Sequence, residues 1–190
     1  MNVTILGVDH ELQRNDRTGD FGKLICRLLD QASIDLIAEE AKETDCTGAQ
    51  QISSDRSILW LPVDATLLER SRLGIADQLL NRPMPLIFEG DMIVGQKSQY
   101  LPHADGIREE LWVSRMLEKN VDHALVICGL LHMQSLADKL AARGCSISLI
   151  NVCETDWYEA NYGKVVPLCD SDGKLWYEYR YKTPVRIFPR

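Results

Sequence analysis

Short blocks of consecutive β-branched and aliphatic residues alternate along this chain with stretches in which apolar residues recur every three or four positions. The blocks Val3 to Gly7, Ile34 to Ala38, Ile58 to Val63, Ala124 to Cys128 and Ser146 to Val152 have strand length. Most lack strict alternation, as expected of parallel strands covered on both faces. Pro62 puts the third block at a sheet edge or in its last turn, because proline cannot donate to the ladder. Phe21, Leu24, Ile25, Leu28 and Leu29 form one face of a helix, with Asp20 as candidate N-cap. Ala65 to Leu80 is also helical in pattern, although Gly74 weakens it. Gly106 to Asn120 follows as a helix, and Met133 to Arg143 as another that Gly144 closes. Between them, residues 81–104 carry Arg82-Pro83-Met84-Pro85, Gly90 and Gly95 and read as the least regular part, a lid or long insertion. Lys174 to Tyr181 alternates like a terminal strand or hairpin. The order predicts a single α/β domain over residues 1–190, with a mostly parallel sheet flanked by helices and a C-terminal strand or hairpin addition.

Two of the strand blocks end alike. Gly7-Val8-Asp9-His10 closes the first and Gly129-Leu130-Leu131-His132 closes the fourth, so Gly-x-x-His follows an apolar strand twice. Burial explains the apolar residues but not the repeated glycine and imidazole. In an open α/β sheet, ligands bind in the crevice outside the carboxyl ends of the strands. The other blocks end in Glu39-Glu40 and Asp64, which adds carboxylates at the same level. Imidazoles and carboxylates are the ligand types of Zn, Mn, Fe and Ni, and a bound divalent ion would activate its water. His10, His132, Glu39 and Asp64 are therefore the candidate metal ligands. Without a metal, the same residues could form a His/Glu base pair that activates water directly. Each also has a structural reading: Asp9 and Asp64 as helix caps, Glu39-Glu40 as the solvated start of a helix, and the histidines as hydrogen-bonding groups.

Arg108, Trp112 and Arg115 share a face of the helix expected from Gly106. That start puts Arg108 in the first turn, where a cation opposes the helix dipole. A function such as clamping a carboxylate or phosphate would explain it, and so would a salt bridge to its glutamate neighbours or to the acidic strand ends. Glu39, Glu40, Arg108 and Glu109 are accordingly the candidate catalytic residues. A glycine-rich dinucleotide fingerprint, a phosphate loop and a Gly-x-Ser-x-Gly elbow are all absent.

Composition narrows the partners. A formal net charge of -7 argues against nucleic acid or an anionic membrane as ligand, since both need clustered cations. Cations do mix with aromatics from Lys174 to Arg190, read as a strand pair with solvated charges. The longest apolar runs fall far short of a membrane span of about 20 residues, and the chain opens directly in a strand without a basic leader. The expected location is the cytoplasm. Six scattered cysteines without a Cys-x-x-Cys pair fit neither a disulfide framework nor a cysteine zinc site. The expected partner is a small-molecule or peptide substrate, and a homo-oligomer is allowed.

The ordered set Gly7-x-x-His10, Leu36-Ile37-Ala38-Glu39, the Arg108 helix and Val126-Ile127-Cys128-Gly129-x-x-His132 resembles a known superfamily. It includes the erythromycin esterases, the ChaN-like haem-binding proteins and the TraB/Tiki proteins. The resemblance spans roughly residues 3–140 and rests on a handful of positions. It implies hydrolytic chemistry centred on His10, Glu39 and His132, by a bound metal or an activated water, or else haem binding. The esterases usually open with Gly-Glu-x-His, whereas here the acidic residue stands one place later at Asp9. The sequence thus leads to the expectation of a small metal-dependent hydrolase using Zn, Mn, Fe or Ni. The alternative is a non-catalytic protein holding haem or another small anionic ligand in the same crevice.

Overall fold

A computed structural model describes residues 1–16 and 19–186 of the chain. The elements run β1 (Asn2–Val8), α1 (His10–Arg14), α2 (Asp20–Gln31), β2 (Leu36–Glu39), α3 (Gly48–Asp55), β3 (Leu59–Pro62), α4 (Leu67–Arg72) and α5 (Ala76–Leu80). Then come β4 (Leu86–Glu89), β5 (Met92–Gln99), α6 (Pro102–Leu117), β6 (His123–Gly129), α7 (Leu130–Ala141), β7 (Ser146–Asn151), α8 (Asp156–Asn161), β8 (Gly163–Cys169) and β9 (Leu175–Arg186). Residues 187–190, the end of the cation-rich tail, lie outside the described part.

Five strands form a parallel sheet in the order β3-β2-β6-β1-β7. The fold is therefore the expected α/β class. Ile5, Leu36, Val126 and Trp112 pack on one face, and Leu6, Ile37, Leu125, Ile127 and Phe21 on the other. Burial on both faces is why these strands read as unbroken apolar runs. Pro62 is the last residue of the edge strand β3, where its missing N–H costs nothing. No helix among the described residues is long and apolar enough to cross a membrane.

The topology positions the site. The chain leaves β1 for β2 and β3, then returns through β6, which inserts between β1 and β2. Val8 stands level with Gly129, and Glu39 with Ile127. Three carboxyl ends thus lie side by side. The shared glycines serve close approach: a Cβ on Gly7 would lie 2.6 Å from the Met133 sulfur, so its absence lets α7 settle on β1.

Several expectations need correction. Residues 81–104 are not irregular, because they contain the hairpin β4-β5. With β9 and β8 it builds a separate antiparallel sheet in the order β4-β5-β9-β8. Gly90 and Asp91 make its turn, and Gly90 takes φ +62° there. The helical pattern of 65–80 is two short helices, α4 and α5. Asp20 is not the cap of α2: Gly19 holds that position, and the Asp16 carboxylate accepts from Gly22 N–H at 2.9 Å. Finally, α6 starts at Pro102, so Arg108 sits in its second turn and the dipole argument for it lapses.

Candidate active site

A cleft of about 600 Å³ opens at the carboxyl ends of β1, β2 and β6. The antiparallel sheet supplies part of its wall through Gln96, Ser98, Tyr179 and Tyr181. On the parallel-sheet side it is lined by His10, Glu40, Asp64, Arg108, Gly129 and His132. Five of the seven named candidates therefore line one cavity. Glu39 and Glu109 do not line it, although each bonds to a residue connected with it.

Glu39, the last residue of β2, and Glu40, the first after it, separate as strand alternation requires. Glu40 faces the cleft with its side chain 5% exposed. Its Oε2 accepts from the Gly129 N–H at 2.8 Å, and its Oε1 accepts from Arg108 Nη2 at 2.6 Å. Gly129 is the N-cap of α7, so a carboxylate from another strand meets the positive end of that helix. Burial pushes the Glu40 carboxyl upward in pKa, but His132, His10 and Arg108 outweigh it and hold the group well below the ordinary range.

Glu39 turns into the protein and is fully buried. Its Oε1 accepts from Gln13 Nε2 at 2.8 Å, and its Oε2 from Thr47 Oγ1 at 2.6 Å and Trp60 Nε1 at 2.8 Å. Burial raises its pKa against these three donors.

Arg108 is the hub. Nε donates to Asp64 at 3.0 Å, and Nη2 to Asp64 at 2.9 Å and to Glu40. Nη1 donates to Asp105 at 3.3 Å and His132 Nε2 at 3.2 Å. All five N–H groups thus find acceptors within the protein. The guanidinium also lies 5.0 Å from the centre of the Trp112 ring. Burial would weaken its charge, but Glu40 and Asp64 keep it cationic. Asp64 is shared with Arg70, while Thr66 caps α4, so Asp64 is a partner of arginines rather than that helix's cap. Asp9 does cap α1, and it accepts from the Tyr158 hydroxyl as well.

The two histidines have the same offset but different surroundings. His10 is the first residue of α1, with Asp9 as N-cap, whereas His132 is the third of α7, with Gly129 as N-cap. His132 is 2% exposed, bonded through Nδ1 to Glu109 Oε1 at 2.8 Å and packed edge-on against Trp112. Because Arg108 can only donate, the His132 Nε2 lone pair accepts from it and the ring proton sits on Nδ1. Glu109 Oε2 also takes Tyr100, Ser135 and Lys139 as donors. Despite its burial, His132, Ser135 and Lys139 hold its pKa down. His10 is different: its side chain is 45% exposed and its Nε2 stands 3.7 Å from Glu40 Oε1.

A divalent ion does not fit this arrangement. Among the described residues no group of three or more His, Cys, Asp or Glu is placed to hold one. Glu40 Oε1 and His132 Nε2 both accept from the guanidinium of Arg108, which fills the place of a cation. Comparison of the chain with protein-family models, curated proteins and solved structures finds no match.

Gln13 and Asp105 were not anticipated from the sequence. Gln13 follows His10 by one helical turn, and Asp105 precedes Arg108 by one, so i,i+3 spacing was the available signal. Two expected results follow from the packing. A Cβ on Gly129 would lie 2.8 Å from His10 Nε2 and 3.3 Å from Glu40 Oε2. Gly129→Ala should therefore displace His10 and cost about 1–3 kcal/mol, read by urea unfolding. An unchanged midpoint with an unmoved imidazole would refute the tight fit. Acid gives the second. Carboxyls depressed in the fold contribute stability that is complete above the unfolded value and lost as pH falls through the folded one. Glu40 and Glu109 should make the protein lose stability progressively below the ordinary glutamate value of 4.5, against an opposite contribution from Glu39. In Glu39→Gln that opposition is removed, so the loss between pH 7 and pH 4 should steepen.

Proposed function

We propose that this cleft is a hydrolase centre in which His10 acts as general base on a water, without a metal ion. The observation that carries this reading is the pair His10 Nε2 and Glu40 Oε1, 3.7 Å apart at the cleft. Two acceptors at that distance are matched by one water donating to both. Such a water has both protons held and a lone pair directed away from them. His10 takes one proton as the oxygen attacks the substrate, and the adjacent Glu40 carboxylate stabilises the imidazolium that forms. His132 is not available for this step because its Nε2 already accepts from Arg108.

Arg108 spends its donors on protein acceptors, so in this reading it shapes the site instead of gripping substrate. Arg14 and Lys42 line the same cleft, and neither side chain has an ion-pair partner among the described residues. They suit a small substrate or peptide carrying an anionic group near the bond to be cleaved. The six cysteines are unpaired, which accords with a reducing compartment such as the cytoplasm.

The test is a panel of chromogenic esters, amides, phosphomonoesters and phosphodiesters, run with and without chelator beside elemental analysis. Turnover that persists in chelator and disappears in His10→Asn is expected. Stoichiometric metal, or activity that chelation removes and one divalent ion restores, would overturn the metal-free mechanism. Activity retained in His10→Asn would overturn the base assignment.

A further inference from the structure

We propose that Gln13 fixes which nitrogen of His10 carries the proton, and that Glu39 acts on His10 through this amide. The inference rests on the reading of His10 as the base, since only that role needs the lone pair on Nε2. The geometry is a chain of three side chains. Gln13 is buried, its Nε2 donates to Glu39 Oε1 at 2.8 Å and to the Glu40 carbonyl at 3.3 Å, and its Oε1 lies 3.1 Å from His10 Nδ1.

Donor and acceptor types determine the direction of every bond. Trp60 Nε1 can only donate, so Glu39 Oε2 accepts, and Oε1 is left as the acceptor facing Gln13 Nε2 at 2.8 Å. The Glu40 carbonyl is a second acceptor beside the same amide. Gln13 must therefore turn its NH₂ inward and its oxygen towards His10. An amide oxygen opposite Nδ1 requires the proton there. The lone pair is left on Nε2, the nitrogen that faces Glu40 and Gly129. The arrangement parallels a base oriented by a buried carboxylate, with an amide interposed. Gln13 and Glu39 are positioning residues, because neither reaches the cleft.

This accounts for a carboxylate that binds nothing in the cleft yet is held by three donors. It also explains why Glu39→Gln, nearly isosteric, is a sharp probe. The Trp60 donor will select the oxygen of the new amide, which puts its NH₂ opposite Gln13. Facing that NH₂, Gln13 is expected to reverse at the expense of its longer 3.3 Å contact with the Glu40 carbonyl, present NH₂ to His10 Nδ1, and drive the ring proton to Nε2. The exchange runs through solvent and leaves the net protonation of the ring unchanged. Combining Gln13→Glu with Glu39→Gln restores the pattern. The carboxylate at position 13 then accepts from the new amide and from His10 Nδ1–H.

The experiment is long-range ¹H–¹⁵N NMR of the histidine rings in full-length labelled protein. It is recorded where the His10 ring is neutral, with His10 assigned by loss of its signals in His10→Asn. The expected wild-type spectrum has Nδ1 protonated and Nε2 bare. Glu39→Gln should exchange the two, and the double variant should return them. Where hydrolysis is measurable, kcat in Glu39→Gln should fall about 100-fold with KM unchanged and recover in the double variant. A wild-type ring protonated on Nε2, or a ring unmoved by Glu39→Gln, would overturn the inference. If Glu39→Gln does not fold, Gln13→Leu replaces it, and retention of a pure Nδ1–H form there would overturn the inference equally. The readout needs no substrate. A tautomer that moves in a protein without hydrolytic activity would remove the base reading and leave the relay standing.

Discussion

Replacing Arg108 with methionine should destabilise the protein by about 3–5 kcal/mol, the range seen when one partner of a buried ion cluster is deleted. Methionine fills most of the space, so the loss isolates the charge and its five donors. Glu40, Asp64 and Asp105 are exposed by only 5%, 9% and 0% in their side chains, and all three accept from this guanidinium. Asp64 would retain Arg70 and Asp105 would retain Arg82, but Glu40 would keep only the Gly129 N–H and the neighbouring imidazoles. His132 Nε2 would also lose its donor. Lysine should rescue little, because one compact ammonium cannot serve three carboxylates and an imidazole arranged around a planar fork. Urea unfolding with near-UV circular dichroism checks this. A methionine variant as stable as wild type would mean that the carboxylates do not depend on Arg108.

The parallel sheet was legible because its strands are buried on both faces and thus written as apolar runs. The antiparallel sheet was not. Leu86 to Phe88 and Met92 to Val94 are apolar runs flanking Glu89-Gly90-Asp91, which is a hairpin signal. The crowding of Pro83 and Pro85 beside them gave the segment the look of a loop. The start of α6 was misplaced for a related reason: Pro102 marks the first turn of a helix as readily as it marks a break. Four residues of error moved Arg108 from the second turn to the first and created a dipole argument with no basis in the fold.

The site was legible as a place and not as a set of roles. Matched Gly-x-x-His endings locate two neighbouring strand ends, yet spacing along the chain does not fix where a helix begins. A two-residue difference in capping position, Asp9 in the first motif and Gly129 in the second, separates an exposed imidazole from a buried one. Strand alternation required Glu39 and Glu40 to part, but only the packing of Thr47 and Trp60 decides which of them turns inward. Gln13 is invisible to a search for titratable groups, since an amide neither ionises nor binds metals well.

The contrast between the two histidines gives the last expected result. His10→Asn should lower turnover by about 100- to 10,000-fold, the range for losing a general base, while leaving the unfolding midpoint nearly unchanged. His10 is 45% exposed, so little packing goes with it. His132→Ala should do the reverse in the first instance. It removes a ring packed 4.8 Å from Trp112 and frees Glu109 Oε1 and one Arg108 N–H from their partner. The cost should be about 2–4 kcal/mol, from a cavity and unsatisfied buried polar groups. Its effect on turnover should follow the folded fraction and the disturbed Arg108–Glu40 contact, and uncharged stabilisers such as sucrose or trimethylamine N-oxide should recover part of it. Those stabilisers cannot restore a missing base, so His10→Asn should stay inactive in them. If stabilisers rescue His10→Asn and leave His132→Ala inactive though folded, the roles assigned to the two imidazoles are reversed.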